Sequence, residues 1–380
     1  MRGTPNATVR AALAAASALL LLAGCSDDGS PSTGAGTAGT GGPSASAAPA
    51  KGSAEVVRTI ATRLNSPWGV AVLPGGDLLV GSRDTGRIVR VGAGDGRQSE
   101  LGTVPGVAAA GEGGLLGLAL SPGYGADHWL YAYFTTESDN RVVRMLVDDA
   151  RPEGQRLGAP DTILRGIPKG PVHNGGRIAF GPDGMLYAGT GESGRRGLAQ
   201  DLDSLGGKIL RMTPDGRPAP GNPRADSVVY SHGHRNVQGL AWDADGRLWA
   251  SEFGQDTWDE LNLVRPGGDY GWPLAEGRAG KPGLVDPVEQ WKPAAASPSG
   301  LAYAGGALWM AGLRGRTLWR IPLRGERPAA SPQAFFEGEY GRLRTVVATS
   351  GDTLVLTTSN TDGRGKPDAQ DDRLLLLKVS

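Results

Sequence analysis

Gly69-Val70-Ala71-Val72, then Pro74-Gly75-Gly76-Asp77, then Leu78-Leu79-Val80, then Arg87-Ile88-Val89-Arg90 form one continuous unit of the chain. An apolar run opens it, a Pro-Gly-Gly-Asp cluster interrupts it, and two further apolar runs follow, the last ending on arginine. Proline and paired glycines between such runs specify a tight turn joining antiparallel strands. The unit restarts at Gly117, Arg177, Gly239, Gly300 and Arg344, at spacings of 48, 60, 62, 61 and 44 residues. Pro182-Asp183-Gly184 and Asp245-Gly246 supply the corresponding turns of two later copies. No stretch keeps a 3.6-residue apolar period over three helical turns. Six copies of a three- or four-stranded unit, each too small to bury its own faces, predict an all-β chain folded as a six-bladed β-propeller. A β-sandwich or a pair of barrels would not require six units to share one pattern. Residues 55–61 read as an extra strand before the first copy, so they are expected to close the ring against residues 374–379.

The composition agrees with that reading. The 380 residues include 62 glycines and 27 prolines, which suits many short strands joined by turns. Lys+Arg and Asp+Glu number 39 each, so the chain carries no basic excess for nucleic acid. Its single cysteine rules out an internal disulfide, a four-ligand zinc cluster and a Cys-x-x-Cys-His haem attachment.

Residues 1–24 hold Arg2 and Arg10, an Ala/Leu run and small residues before Cys25, with no acid. This is the pattern of a secretory signal. The apolar run is about a dozen residues, short of the roughly 20 that a permanent membrane helix needs. Leu22-Ala23-Gly24-Cys25 resembles the bacterial lipobox, in which the cysteine becomes a lipid-modified N-terminus. Cys25 is thus the expected lipidation site, and the expected location is outside the cytoplasmic membrane, held to it by the lipid anchor alone. Removing residues 1–24 takes away two arginines and leaves 37 basic against 39 acidic side chains, a net charge of −2. Residues 25–53, rich in Gly, Ala, Ser, Thr and Pro, read as a flexible tether. The propeller is then expected over residues 54–380.

In a propeller the loops at one end of the axis converge, so polar residues that interrupt the repeat there are the candidates for chemistry. His173, in Val172-His173-Asn174-Gly175-Gly176-Arg177, precedes the third copy and is one of four histidines. A loop imidazole titrating near neutral pH suits a general base, while a solvated turn histidine is the bland reading. Gly233-His234-Arg235-Asn236 precedes the fourth copy, Arg342 and Arg344 stand at the sixth, and Arg314 and Arg316 lie in a loop of the fifth. Several arginines aimed at one channel repel each other unless an anion sits between them, and guanidinium forks suit carboxylates. Surface charges or inter-blade ion pairs are the alternative for each. Residues 251–260, Ser-Glu-Phe-Gly-Gln-Asp-Thr-Trp-Asp-Glu, and 267–271, Gly-Gly-Asp-Tyr-Gly, offer the oxygen-rich loops that calcium takes, without an EF-hand pattern.

Six motifs together carry a family likeness. They are residues 111–117 (Gly-Glu-Gly-Gly-Leu-Leu-Gly), 173–177 (His-Asn-Gly-Gly-Arg), 207–211 (Gly-Lys-Ile-Leu-Arg), 233–240 (Gly-His-Arg-Asn-Val-Gln-Gly-Leu), 251–254 (Ser-Glu-Phe-Gly) and 269–273 (Asp-Tyr-Gly-Trp-Pro). In this set the chain resembles the soluble pyrroloquinoline quinone (PQQ) dependent glucose and aldose sugar dehydrogenases, the glucose/sorbosone dehydrogenase family. The resemblance runs from about Leu64 to Val379. It implies a six-bladed propeller with PQQ at the channel mouth, an aldose substrate, and electrons leaving to an external acceptor. It further implies that His173 is the base and that Arg235 and Asn236 hold the quinone oxygens. Arg314, Arg342 and Arg344 would pair with the cofactor's three carboxylates. The backbone carbonyls of Gly254 and Gln255 would hold the catalytic calcium, and Glu260 with the Tyr270 carbonyl a second, structural one.

Four positions depart from the family pattern: Glu112 replaces a glutamine at the cofactor, Val172 an aspartate, Gln255 a proline and Arg314 a lysine. Val172 is expected to deprive the imidazole of an orienting carboxylate. Glu112, beside a polyanionic cofactor, is expected to be protonated or turned toward the metal. Both departures favour an alternative, a non-catalytic propeller that binds a saccharide or protein partner. A calcium-dependent lactonase would need carboxylates and amides converging on an axial ion, where this chain offers arginine and histidine.

Overall fold

The computed structural model describes residues 48–380, and within them six antiparallel sheets follow one another around an axis. The first blade comprises Pro67–Val72, Leu78–Ser82, Arg87–Val91 and Gln98–Thr103. The next four blades begin at Leu115–Leu120, Ile178–Phe180, Val237–Trp242 and Pro298–Ala304. The sixth is built from Leu343–Ala348, Thr353–Thr358 and Leu374–Val379, with Ala54–Ala61 as its outer strand. Ala54 pairs with Val379 and Ala61 with Leu374, so the ring closes as the sequence predicts. Helical structure among the described residues is limited to Tyr124–Asp127 and the 3-10 turn Arg196–Ala199.

The glycine that opens four of the six units has a steric cause. A Cβ at Gly69 would lie 2.4 Å from the Leu116 carbonyl of the next blade, and at Gly117, Gly239 and Gly300 the neighbouring backbone is equally close. Innermost strands around a narrow axis leave no room for a side chain there. Sealing comes from the faces between blades. Each of the six junctions holds one apolar cluster, such as Leu79, Ile88 and Leu101 against Leu118, Phe134 and Met145 between the first two blades. The closing junction packs Val70 and Val80 of the first blade against Ile60, Val355 and Leu374 of the sixth. Truncating one of these leucines to alanine costs about 2–5 kcal/mol, so closure is held by packing rather than by the strand pairing alone.

Contacts to the propeller begin earlier than the composition implies. Ala48 is buried and its N–H donates to the Leu323 carbonyl, Gly52 N–H donates to Gln333 Oε1, and Arg320 donates to the Pro49 carbonyl. Residues 48–53 are therefore fixed to the fifth and sixth blades rather than part of a tether. Small residues lie flat there, and a Cβ at Gly52 would meet the Ser380 carbonyl at 1.9 Å. The signal segment, Cys25 and the rest of the tether lie outside the described residues. No helix among the described residues is long and apolar enough to cross a membrane.

Candidate active site

Loops entering the first strands, and loops leaving the second strands, meet at one mouth of the propeller around a cavity of about 280 Å³. His173, Glu112, Arg235, Asn236, Gly254, Gln255, Arg314, Arg342 and Arg344 all line it. Nine predicted residues from five blades thus come together. Trp68 forms part of the floor, with the buried Arg177 guanidinium 4.4 Å from its ring and that of Arg344 5.8 Å away. Burial pushes Arg177 down to about 9 and Arg344 to about 10, so both stay cationic at neutral pH.

His173 sits in a left-handed backbone conformation, φ 55°. Its Nδ1 contacts Glu192 Oε1, a carboxylate that the sequence reading missed. The expectation that Val172 leaves the imidazole without a carboxylate partner is therefore corrected, because that partner comes from the loop of the same blade, 19 residues on. A carboxylate only accepts, so Nδ1 carries the proton and Nε2 presents its lone pair to the cavity. The loop is fixed at both ends: Glu192 N–H donates to the Arg235 carbonyl at 2.9 Å and Ser193 N–H to the His173 carbonyl at 3.0 Å. Gly191 permits this, since a Cβ there would stand 1.9 Å from the His173 oxygen.

Glu112 is neither protonated nor free to turn. Burial opposes its charge, yet the His173 N–H at 2.9 Å and Arg364 Nη1 at 2.8 Å hold its carboxyl below the ordinary value. The expectation for Glu112 is corrected accordingly: an arginine from the sixth blade neutralises it.

Arg342 and Arg344 share a single anion, Asp362, at 3.0 and 3.3 Å. Arg344 also donates to Ser359 and Gln238. Arg314 makes no ion pair among the described residues. Arg235 is buried, which pulls its guanidinium down from the usual arginine range, and its Nε has no partner. Its Nη2 reaches the Gln255 side chain at 2.7 Å. Asn236 uses Oδ1 to accept the Gly175 N–H, which leaves Nδ2 as a donor for the cavity. Six arginines and two carboxylates, Glu112 and Asp259, line the wall. A surplus of guanidinium with an orphaned buried N–H fits a ligand bearing several carboxylates.

The Gly254–Gln255 turn is held open by two acids. Glu276 Oε1 accepts the N–H groups of Gln255, Asp256, Thr257 and Trp258 at 2.7–3.0 Å. Burial disfavours the Glu276 charge, but these four donors hold its carboxyl below the ordinary range. Asp259 accepts Gly254 N–H at 3.0 Å and Ser297 N–H at 2.6 Å, and burial pushes it up to about 6. Among the described residues neither the Gly254 nor the Gln255 carbonyl accepts a hydrogen bond, and both residues face the cavity. Two open carbonyls beside a carboxylate suit a hard cation.

Glu260 and Tyr270 stand apart from the cavity lining. Glu260 is buried, accepts Gly277 N–H at 2.7 Å and Asn262 Nδ2 at 3.1 Å, and is pushed up to about 8 by burial and by Glu252. The Tyr270 ring stacks on His234 with centroids 4.5 Å apart. Lys208, from the Gly-Lys-Ile-Leu-Arg motif, is also not a site residue. Its buried ammonium donates to the carbonyls of Leu198, Ala199 and Gly206 at 2.6–3.0 Å, pinning the loop that carries Glu192.

Comparison with known proteins bears directly on this site. The family described as Glucose / Sorbosone dehydrogenase matches residues 64–376. A solved structure of the PQQ-bound form of an aldose sugar dehydrogenase from Streptomyces coelicolor is 69% identical, with a TM-score of 0.87, covering 88% of this chain and 100% of that one. Aldose sugar dehydrogenase YliI of Escherichia coli is 34% identical over 239 residues, 60% of this chain and 64% of that protein. Quinoprotein glucose dehydrogenase B of Acinetobacter calcoaceticus is 31% identical over 251 residues, 58% of this chain and 52% of that protein.

Proposed function

Because the chain belongs to the glucose/sorbosone dehydrogenase family and is by that kinship a quinoprotein sugar oxidoreductase, we propose that it oxidises the anomeric carbon of aldoses to lactones, with PQQ and calcium at the propeller mouth and an external electron acceptor. One observation carries the reading: an imidazole with one nitrogen fixed by Glu192 and the other open faces a cavity lined by six arginines. When bound, PQQ supplies the two-electron sink and calcium the Lewis acid.

The residues divide the work. His173 Nε2 takes the proton of the anomeric hydroxyl, while Glu192 keeps the ring in the productive tautomer and stabilises the imidazolium that results. Arg344, Arg342 and Arg314 hold cofactor carboxylates. Arg235 Nε and Asn236 Nδ2 donate to the oxygens at the reacting edge, where negative charge develops. The carbonyls of Gly254 and Gln255 hold the metal, with Glu276 fixing their turn. Glu260 and the Tyr270 carbonyl serve a second calcium. Lipidation at Cys25 holds the enzyme outside the cytoplasmic membrane. Glu192 and Arg364 weigh against a non-catalytic propeller, since the one gives His173 a carboxylate and the other balances the Glu112 charge.

The test is titration of the apo-protein with PQQ, with calcium present and then chelated, alongside dye reduction by a panel of aldoses. Tight calcium-dependent binding is expected, and His173→Ala should keep the binding while turnover falls about 10²–10⁴-fold. Absence of binding at high micromolar PQQ would overturn the reading.

A further inference from the structure

A second cavity of about 490 Å³ adjoins the first, and Leu313, Arg314, Arg342 and Arg364 form their common wall. Arg316, Lys366 and Tyr340 line only the second. Arg314, Arg316 and Lys366 are exposed and have no acidic partner among the described residues. The acids of this hollow are mostly engaged. Arg373 holds Asp368 and Asp371, which leaves Glu339 beside the Tyr340 hydroxyl. Exposed cations without an acid also occur elsewhere among the described residues, as at Arg63, Arg165 and Arg217, and here they share one hollow that adjoins the first cavity. With Arg314 assigned to the cofactor, Arg316 and Lys366 remain as a local positive surplus over Glu339, and a bound anion relieves their repulsion.

The hollow also offers an aromatic face. Tyr340 is partly buried and braced edge-on by Phe336, with centroids 5.6 Å apart. An apolar ring face next to guanidinium forks matches a sugar ring that carries a carboxylate or phosphate. The cofactor does not account for these groups, because Arg316 and Lys366 do not line the cavity that holds it.

We propose that this annex is a subsite for an acidic sugar unit, so that the preferred substrates are reducing oligosaccharides bearing a carboxylate or phosphate on the unit next to the one oxidised. The inference rests on the dehydrogenase reading: the reducing unit lies at His173 Nε2, and the common wall leads its neighbour into the annex.

The test uses the full-chain holoenzyme and three disaccharides of one linkage: cellobiose, its counterpart with glucuronic acid as the non-reducing unit, and cellobiose phosphorylated on that unit. The expected KM for an acidic disaccharide is about tenfold below that for cellobiose at low salt, and the gap narrows as salt is added. The double variant Arg316→Ala/Lys366→Ala should lose this preference while its kinetics on glucose and cellobiose and its melting temperature stay unchanged. Preference for the uronate alone or for the phosphate alone identifies the anion and supports the subsite. Equal KM values for all three sugars, or a preference that survives the double variant, overturn it and leave the dehydrogenase reading standing. If no sugar is oxidised, the dehydrogenase reading fails. Calorimetric binding of the acidic disaccharides to wild type but not to the double variant then still supports the annex, and equal binding overturns it.

Discussion

The cavity has two corners built on opposite electrostatic plans. Around His173 two carboxylates gather: Glu192 takes the imidazole, and Glu112 accepts the His173 N–H and is balanced by Arg364 from the sixth blade. On the sixth-blade side, one carboxylate, Asp362, serves both Arg342 and Arg344, with Arg314 unpaired beside them. The first arrangement leaves one imidazole nitrogen open with a counter-ion ready for the charge it gains. The second leaves positive charge unspent. Acids per base therefore decide the task of each corner, proton removal in one and anion retention in the other.

Asp362→Asn attacks the cationic corner and has the largest expected effect on stability. The buried Arg344 and the partly buried Arg342 lose their common partner, and breaking such a pair costs about 3–5 kcal/mol. Denaturant melts of the apo-protein should show this loss, and PQQ should restore more stability to the variant than to wild type, because its carboxylates replace the missing anion. A variant that PQQ does not rescue would show that Asp362 positions the arginines rather than neutralising them.

Glu192→Gln attacks the other corner. It keeps the shape and removes the charge that balances the imidazolium, so kcat should fall about 10–100-fold with little change in PQQ affinity. Equal losses in kcat and cofactor affinity would mean that the loop had moved, erasing the distinction between the corners.

Between them lies the Gly254–Gln255 turn. Glu276→Gln removes the charge that assists four amide contacts without breaking the turn outright. Calcium titration of the PQQ-free protein should show an affinity lower by about tenfold, with His173 chemistry limited only through metal occupancy. Unchanged affinity would reduce Glu276 to a loop anchor.

The two corners also differ in how legible they are in the sequence. Arg342, Arg344 and Arg235 were found because a charge at the start of an apolar strand interrupts the repeat. The propeller was legible for the same reason, since the periodic glycine records the close approach of neighbouring innermost strands. Glu192 is not legible as a partner of His173, because sequence adjacency points to position 172, where a valine stands. A loop leaving a second strand supplies the partner instead, and Gly191-Glu192-Ser193-Gly194 at the end of such a strand was the available signal. Asp362 and Arg364 lie in a similar loop, and Glu276 in one that leaves a third strand, where acids and bases are common and composition gives no address. Which charged loop residue turns inward is decided by contacts between blades, and these do not exist until the ring has closed.

The Glu112–Arg364 pair is the smallest effect and the most direct probe of how the corners communicate, since it joins the second blade to the sixth across the mouth. The Glu112 carboxyl is held below its ordinary value, so in the folded state it releases its proton more readily than in the unfolded chain. The stability this contributes is fully present above the ordinary glutamate value and is lost as pH falls through the lower folded value. Arg364 is largely exposed, and solvent screens the pair to about 1 kcal/mol or less. Glu112→Gln should therefore melt slightly below wild type at neutral pH, and the two curves should converge as the solution is acidified past the ordinary glutamate range. A gap that persists at low pH would locate the effect in the His173 N–H contact, which glutamine also makes imperfectly, and not in the charge that spans the mouth.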